Sequence, residues 1–80
     1  MELKSKFGEL VRREREAQNL SIEALAHDAG LSYSYFGSME RGRRNPSLVV
    51  IFSVASALGL QPDAMVRDLR LSLAAPDEVD

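Results

Sequence analysis

The sequence contains no cysteine. Neither a disulfide framework nor a thiolate metal site can be built from it. Its one histidine, His27, has no second imidazole or thiol nearby, so no metal site is expected and His27 reads as a solvated helix position. Long hydrophobic runs are also missing. The longest, Leu48 to Phe52, spans five residues, whereas a helix crossing a bilayer needs about 20. The opening Met-Glu-Leu-Lys-Ser-Lys is not followed by the apolar core of a signal peptide. A soluble cytoplasmic protein is the resulting expectation. Catalytic motifs are absent as well. Gly30, Gly37 and Gly42 do not form a phosphate-cradling loop, and Ser32, Ser34 and Ser38 lack a histidine base or a nucleophile motif. No enzyme activity, cofactor or small-molecule ligand is implied.

What is present is the balance of a folded globular chain. Of the 80 residues, 45% are hydrophobic and 28% charged. That length makes one domain, which buries around two-thirds of its unfolded surface. The net charge of −2 argues against nucleic acid, but the distribution of charge matters more than the sum. Residues 1–46 carry eight cations (Lys4, Lys6, Arg12, Arg13, Arg15, Arg41, Arg43 and Arg44) against seven acids. Residues 47–80 carry two arginines against five acids. The folded domain is read as residues 1–73. Residues 74–80, ending Asp77-Glu78-Val79-Asp80, are read as an acidic, frayed tail.

Turn signals divide the chain into five short helices. Phe7, Leu10 and Val11 mark one face of a first helix over about Lys4 to Gln18. Asn19 follows it and tolerates a left-handed backbone. Ser21 is a good N-cap for a second helix, Ile22 to Ala29, with Leu25 and Ala26 inward and Gly30 as its stop. Ser32 caps a third, Tyr33 to Arg41, which Gly42 ends. After Asn45-Pro46-Ser47, the residues Leu48, Ile51, Val54, Ala55 and Leu58 form the inner stripe of a fourth helix closed by Gly59. Pro62 and Asp63 suit the first turn of a fifth, with Met65, Val66 and Leu69 inward. From Leu69 to Leu73 the apolar residues alternate, which allows a short extended segment. Helices this short are unstable alone and must pack together.

The stretch Ser21 to Gly42 reads helix, glycine turn, helix. Ala26 is small where two helices cross, and Leu31 and Phe36 can fill the wedge between them. Such a unit can set its second helix into a major groove. On these residues the chain resembles the phage repressor and Cro-like helix-turn-helix family, the xenobiotic-response-element regulators. The resemblance runs from about Phe7 to Leu69. It is carried by Arg15, Leu-Ser-Ile-Glu-Ala-Leu-Ala, the Gly30 turn, Met-Glu-Arg-Gly-Arg-Arg-Asn-Pro-Ser-Leu and Ala-Ser-Ala-Leu-Gly-Leu-Gln-Pro. Tyr35-Phe36-Gly37 ahead of Met-Glu-Arg-Gly-Arg-Arg-Asn is similar also to the controller proteins of restriction–modification systems.

The resemblance implies an all-α, compact five-helix, lambda-repressor-like DNA-binding domain whose third helix is the recognition helix. By it, Tyr33, Ser34, Gly37 and Ser38 fall where base edges are reached, on an exposed face. Ser32, Arg41, Arg43 and Arg44 fall where phosphates are held. Arg15 and Glu40 fall at a buried salt bridge. Three positions depart from the family pattern: Ile22 replaces a common Gln that touches phosphate, Glu14 an apolar residue, and Asn19 a common Gly. None of Tyr and Ser supplies the bidentate pairings that discriminate bases best; Arg43 or Arg44 could add one from the loop. On composition alone the arginine cluster reads as a solvated loop, and only its place after a recognition helix turns the reading to phosphate contacts; Tyr35 is read equally as packing or as exposed.

The fourth helix is apolar on more than one face, because Val49, Val50 and Phe52 add to its inner stripe. Either the core is thicker there or the helix joins Leu69, Leu71 and Leu73 in a dimer interface. The interface is the reading adopted, with Val49, Phe52, Leu69, Leu71 and Leu73 as its residues, since two-fold dimers on paired half-sites let a small domain read enough base pairs. The functional expectation is a transcriptional regulator binding double-stranded DNA as a homodimer. The alternative is a helix-turn-helix module that meets a protein partner and binds DNA weakly.

Overall fold

Three serines start three of the helices. The hydroxyls of Ser21, Ser32 and Ser47 accept hydrogen bonds from the amides of Ala24 (3.0 Å), Tyr35 (3.0 Å) and Val50 (3.2 Å). Each satisfies one of the amides left unpaired at a helix N-terminus. The computed structural model describes residues 3–73. Its elements are α1 (Leu3–Ala17), α2 (Ile22–Ala29), α3 (Tyr33–Glu40), α4 (Leu48–Leu58) and α5 (Pro62–Leu73). The acidic tail expected over 74–80 lies outside the described residues.

The helices close on one core. Phe7, Leu10 and Val11 of α1 meet Leu25 and Ala26 of α2, Phe36 and Met39 of α3, Val54, Ala55 and Leu58 of α4, and Met65 of α5. The two apolar residues of the helix-turn-helix wedge sit as expected: Phe36 is fully buried and Leu31 packs against the core. Gln18, just beyond α1, donates from Nε2 to the Leu58 carbonyl at 2.7 Å and so pins the end of α1 to the C-terminus of α4. Asn19 adopts φ 57°, the left-handed turn that its side chain tolerates.

Two glycines let α1 approach α3. A Cβ on Gly8 would stand 2.5 Å from the carbonyl oxygens of both Met39 and Glu40. A Cβ on Gly42 would stand 2.6 Å from Ser5 Oγ and 2.8 Å from Ser5 Cα. The carbonyls facing Gly8 are backbone, and at Gly42 the Ser5 hydroxyl could turn but its Cα cannot. The N-terminal half of α1 therefore lies directly on the end of α3.

The extended segment allowed over Leu69–Leu73 does not form; α5 runs through to Leu73. Leu69 lies one turn beyond Met65 and packs on the core, and Leu73 lies one turn further along the same face. A strand here would have left its amides and carbonyls unpaired, because no strand exists among the described residues to receive it. Two stripe residues also differ from expectation. Leu48, at the first position of α4, and Val66, on the outer side of α5, are both exposed. No single described helix is long and apolar enough to cross a membrane.

Candidate nucleic-acid interface

The corner between α2 and α3 is built by local hydrogen bonds. Gly30 takes φ 73°, and its amide donates to the His27 carbonyl at 3.1 Å while the Leu31 amide donates to Ala26 at 2.9 Å. This pairing ends α2 and turns the chain straight into Ser32. Ile22, where a phosphate-touching Gln is common, packs against the core instead. Glu14, at a usually apolar position, is half-buried and lies 3.9 Å from Arg13.

The outer face of α3 carries Tyr33, which is 60% exposed, and Ser34, also exposed; Ser32 beside them is exposed at the cap. Ser38 is half-buried one turn on. Gly37 differs from expectation. It points the same way but is buried, because the Arg41 side chain folds back across it. Tyr35 proves to be a packing residue, half-buried against the core.

The end of α3 fixes the arginine loop. Gly42 takes φ 77°. Its amide donates to the Met39 carbonyl and the Arg43 amide to Ser38, both at 3.0 Å. These bonds satisfy the last carbonyls of α3 and aim the following residues along its flank. Arg41, Arg43 and Arg44 are all exposed. The Arg44 guanidinium lies 5.5 Å from the centre of the Tyr35 ring, within the range of a cation–π contact. Sequence reasoning missed this pairing, since nothing in a nine-residue separation announces it.

Behind the face, Arg15 and Glu40 form the expected bridge. Arg15 Nε donates to Glu40 Oε2 at 2.7 Å and Nη2 to Oε1 at 3.1 Å, while Nη1 donates to the Leu20 carbonyl at 2.8 Å. The two side chains are 11% and 5% exposed. The hydrogen bond to Glu40 raises the Arg15 pKa, against the opposing effect of burial. The bridge fixes the rotation of α3 about its own axis, and hence which side faces out.

A second exposed surface lies on α4 and α5. Leu48 and Val49 are each 74% exposed and Phe52 59%, at spacings that share one side of α4. Leu71 is exposed too, Leu69 is half-buried where it packs against the core, and Leu73 is half-buried. His27 stands open to solvent beside Asp28.

Comparison with known proteins agrees with this geometry. The helix-turn-helix domain family matches residues 6–69. The chain is 44% identical over 57 residues to the control protein C.BamHI of Bacillus amyloliquefaciens, covering 70% of each. It is 42% identical over 59 residues to the immunity repressor protein of Bacillus phage phi105, covering 74% of this chain but only 41% of the repressor. The crystal structure of the restriction–modification controller protein C.AhdI from Aeromonas hydrophila superposes with a TM-score of 0.75 at 47% identity, over 78% of this chain and 94% of that one. The chain belongs to the helix-turn-helix domain family, in the company of phage repressors and restriction–modification controller proteins.

Proposed function

We propose that the protein is a transcriptional regulator that binds double-stranded DNA sequence-specifically as a homodimer in the cytoplasm, with α3 in the major groove. One observation carries this reading: the polar face Tyr33, Ser34 and Ser38 stands outward, flanked by exposed arginines, on a helix locked from behind by Arg15 and Glu40. Tyr33, Ser34, Ser38 and the Gly37 position meet base edges. Ser32, Arg43 and Arg44 hold phosphates, which contribute affinity and orientation but no sequence information. The sequence resemblance sets Arg41 with this phosphate group. With few bidentate readers on helix and loop, the shape of the duplex contributes to selection.

The partner for a second copy is the apolar side of α4. Leu48, Val49 and Phe52 form an exposed apolar surface on α4 that a two-fold dimer would cover, and Leu71 is a further exposed apolar residue on α5. Such a dimer sets two recognition helices about 34–36 Å apart, one turn of DNA. The controller and repressor names of the relatives support the same reading.

A gel-shift titration against the region upstream of the protein's own gene tests it. A retarded complex whose affinity falls as salt rises is expected. Failure to bind any genomic duplex at low salt would remove the DNA reading and leave the protein-interaction module.

A further inference from the structure

The front of α3 offers hydroxyls where strong base discrimination needs a two-pronged donor or acceptor. Arg, Lys, Asn and Gln make such pairings; Tyr and Ser do not. The structure nevertheless lays an arginine on that front. Residues 34, 37, 38 and 41 share one side of the helix at spacings of three and four. Arg41 closes α3 with a near-helical backbone, φ −82° and ψ 3°. Side chains on a helix tilt toward its N-terminus, and the Arg41 side chain runs back over the preceding turn. Its Nη2 donates to Ser38 Oγ at a long 3.4 Å. Its Nη1 lies 3.1 Å, and Cζ 3.9 Å, from where a Cβ on Gly37 would stand. Gly37 owes its burial on an outward face to this cover.

We propose that Arg41 reads a guanine in the major groove, seated on Gly37 and turned by Ser38, and is not one more phosphate contact. The inference rests on the regulator reading and sharpens it to a base. A guanidinium presents five N–H donors in a flat fork, which matches O6 and N7 of guanine. Ser38 takes up one of those donors at long range. The Nη1 edge of Arg41 lies over Gly37, beside Ser38 and on the same side of α3 as Ser34. Arg43 and Arg44 are placed differently. They follow the left-handed turn at Gly42, and Arg44 rests on Tyr35 at the helix flank. That flank suits the sugar–phosphate rim. A glycine at 37 gives Arg41 its low path, since a side chain there would lift the guanidinium off the helix.

The test is site selection from a random duplex pool by the wild type, Arg41→Ala and Gly37→Ala, followed by titrations on the selected duplex with the key guanine replaced by 7-deazaguanine. The wild type should favour one guanine per half-site by about 5- to 150-fold, the discrimination of one bidentate pair. Arg41→Ala should lose that preference and bind the substituted duplex as the wild type does. Gly37→Ala should weaken the preference while its melting temperature holds or rises, because Ala favours the helix. That combination separates a seat for Arg41 from a role in folding. Arg41→Ala binding that falls equally on every sequence, with a salt slope shallower by about one, would mark a phosphate contact and overturn the proposal. So would an unchanged guanine preference in Gly37→Ala. A wild type that selects no site at all would instead fell the regulator reading.

Discussion

Arg15 holds Glu40 through two hydrogen bonds, across a gap of 25 residues in the chain, and the next residue after Glu40, Arg41, lays its side chain back over Gly37. The inner grip and the outer face are thus one rigid unit. Glu40→Ala leaves the largely buried Arg15 charge with one carbonyl partner. Breaking such a pair costs about 3–5 kcal/mol, a large share of the roughly 4–12 kcal/mol that a domain of this size holds. Urea unfolding should show the loss directly. Replacing both partners, as Arg15→Met with Glu40→Leu, should recover much of it, because no stranded charge remains. The raised Arg15 pKa adds a sign: its stabilisation is complete below the ordinary arginine value and is lost only as pH climbs through the raised one. Titrating Arg15 itself therefore costs no stability between neutral and moderately alkaline pH.

Gly8→Ala separates packing from propensity. Inside a helix Ala is favoured over Gly by about 1 kcal/mol. Here its methyl would meet two backbone carbonyls of α3 at 2.5 Å. The helices must part, and overpacking of this kind costs about 1–3 kcal/mol. A lower urea midpoint than the wild type is expected. A higher one would mean that α1 and α3 do not touch at Gly8.

The boundaries of α2, α3 and α4 and the end of α1 are legible in the sequence because each rests on a local rule: a serine that caps, a glycine or asparagine that turns left-handed. Ser21, Ser32, Ser47, Gly30, Gly42, Gly59 and Asn19 all behave by such rules. The outward position of Tyr33 and Ser34 is legible from their place after the turn, and the Arg15–Glu40 pair from family resemblance. What escapes depends on three-dimensional neighbours. The leucine alternation at 69–73 fits a strand locally but also places Leu69 and Leu73 one helical turn apart, and only the core beside Leu69 decides between them. Gly8 is an oddity within a helical stretch until the carbonyls it touches are known. The path of Arg41 over Gly37 is a matter of side-chain direction, on which periodicity is silent.

Arg43→Ala with Arg44→Ala should weaken duplex binding without unfolding the domain. Both side chains are exposed, and the stacking of Arg44 on the Tyr35 ring is a minor loss to the fold. Affinity should fall to a similar degree on operator and unrelated DNA. The slope of log affinity against log salt should flatten by about 0.9 for each phosphate no longer neutralised. Fluorescence anisotropy at several salt concentrations measures both. An undiminished slope would show that these arginines do not touch the backbone.

Phe52 tests the proposed dimer. It is 59% exposed in the single chain, so Phe52→Ala removes little from the monomer's own core and should leave its stability within about 0.5 kcal/mol. In a two-fold interface the residue appears once from each copy. Fully burying a phenylalanine contributes about 1.5–3 kcal/mol; covering the exposed part of Phe52 gives about 1–2 kcal/mol per copy, so the dimer should weaken by about 2–4 kcal/mol. Sedimentation at micromolar concentration should then show monomer where the wild type shows dimer. Binding to a single half-site should persist, since Phe52 lies on α4, outside α3 and its arginine loop, while the tight binding of a paired site is lost. If the variant sediments as the wild type does, the contact surface lies elsewhere than on α4, and the spacing of the two recognition helices inferred from it fails with it.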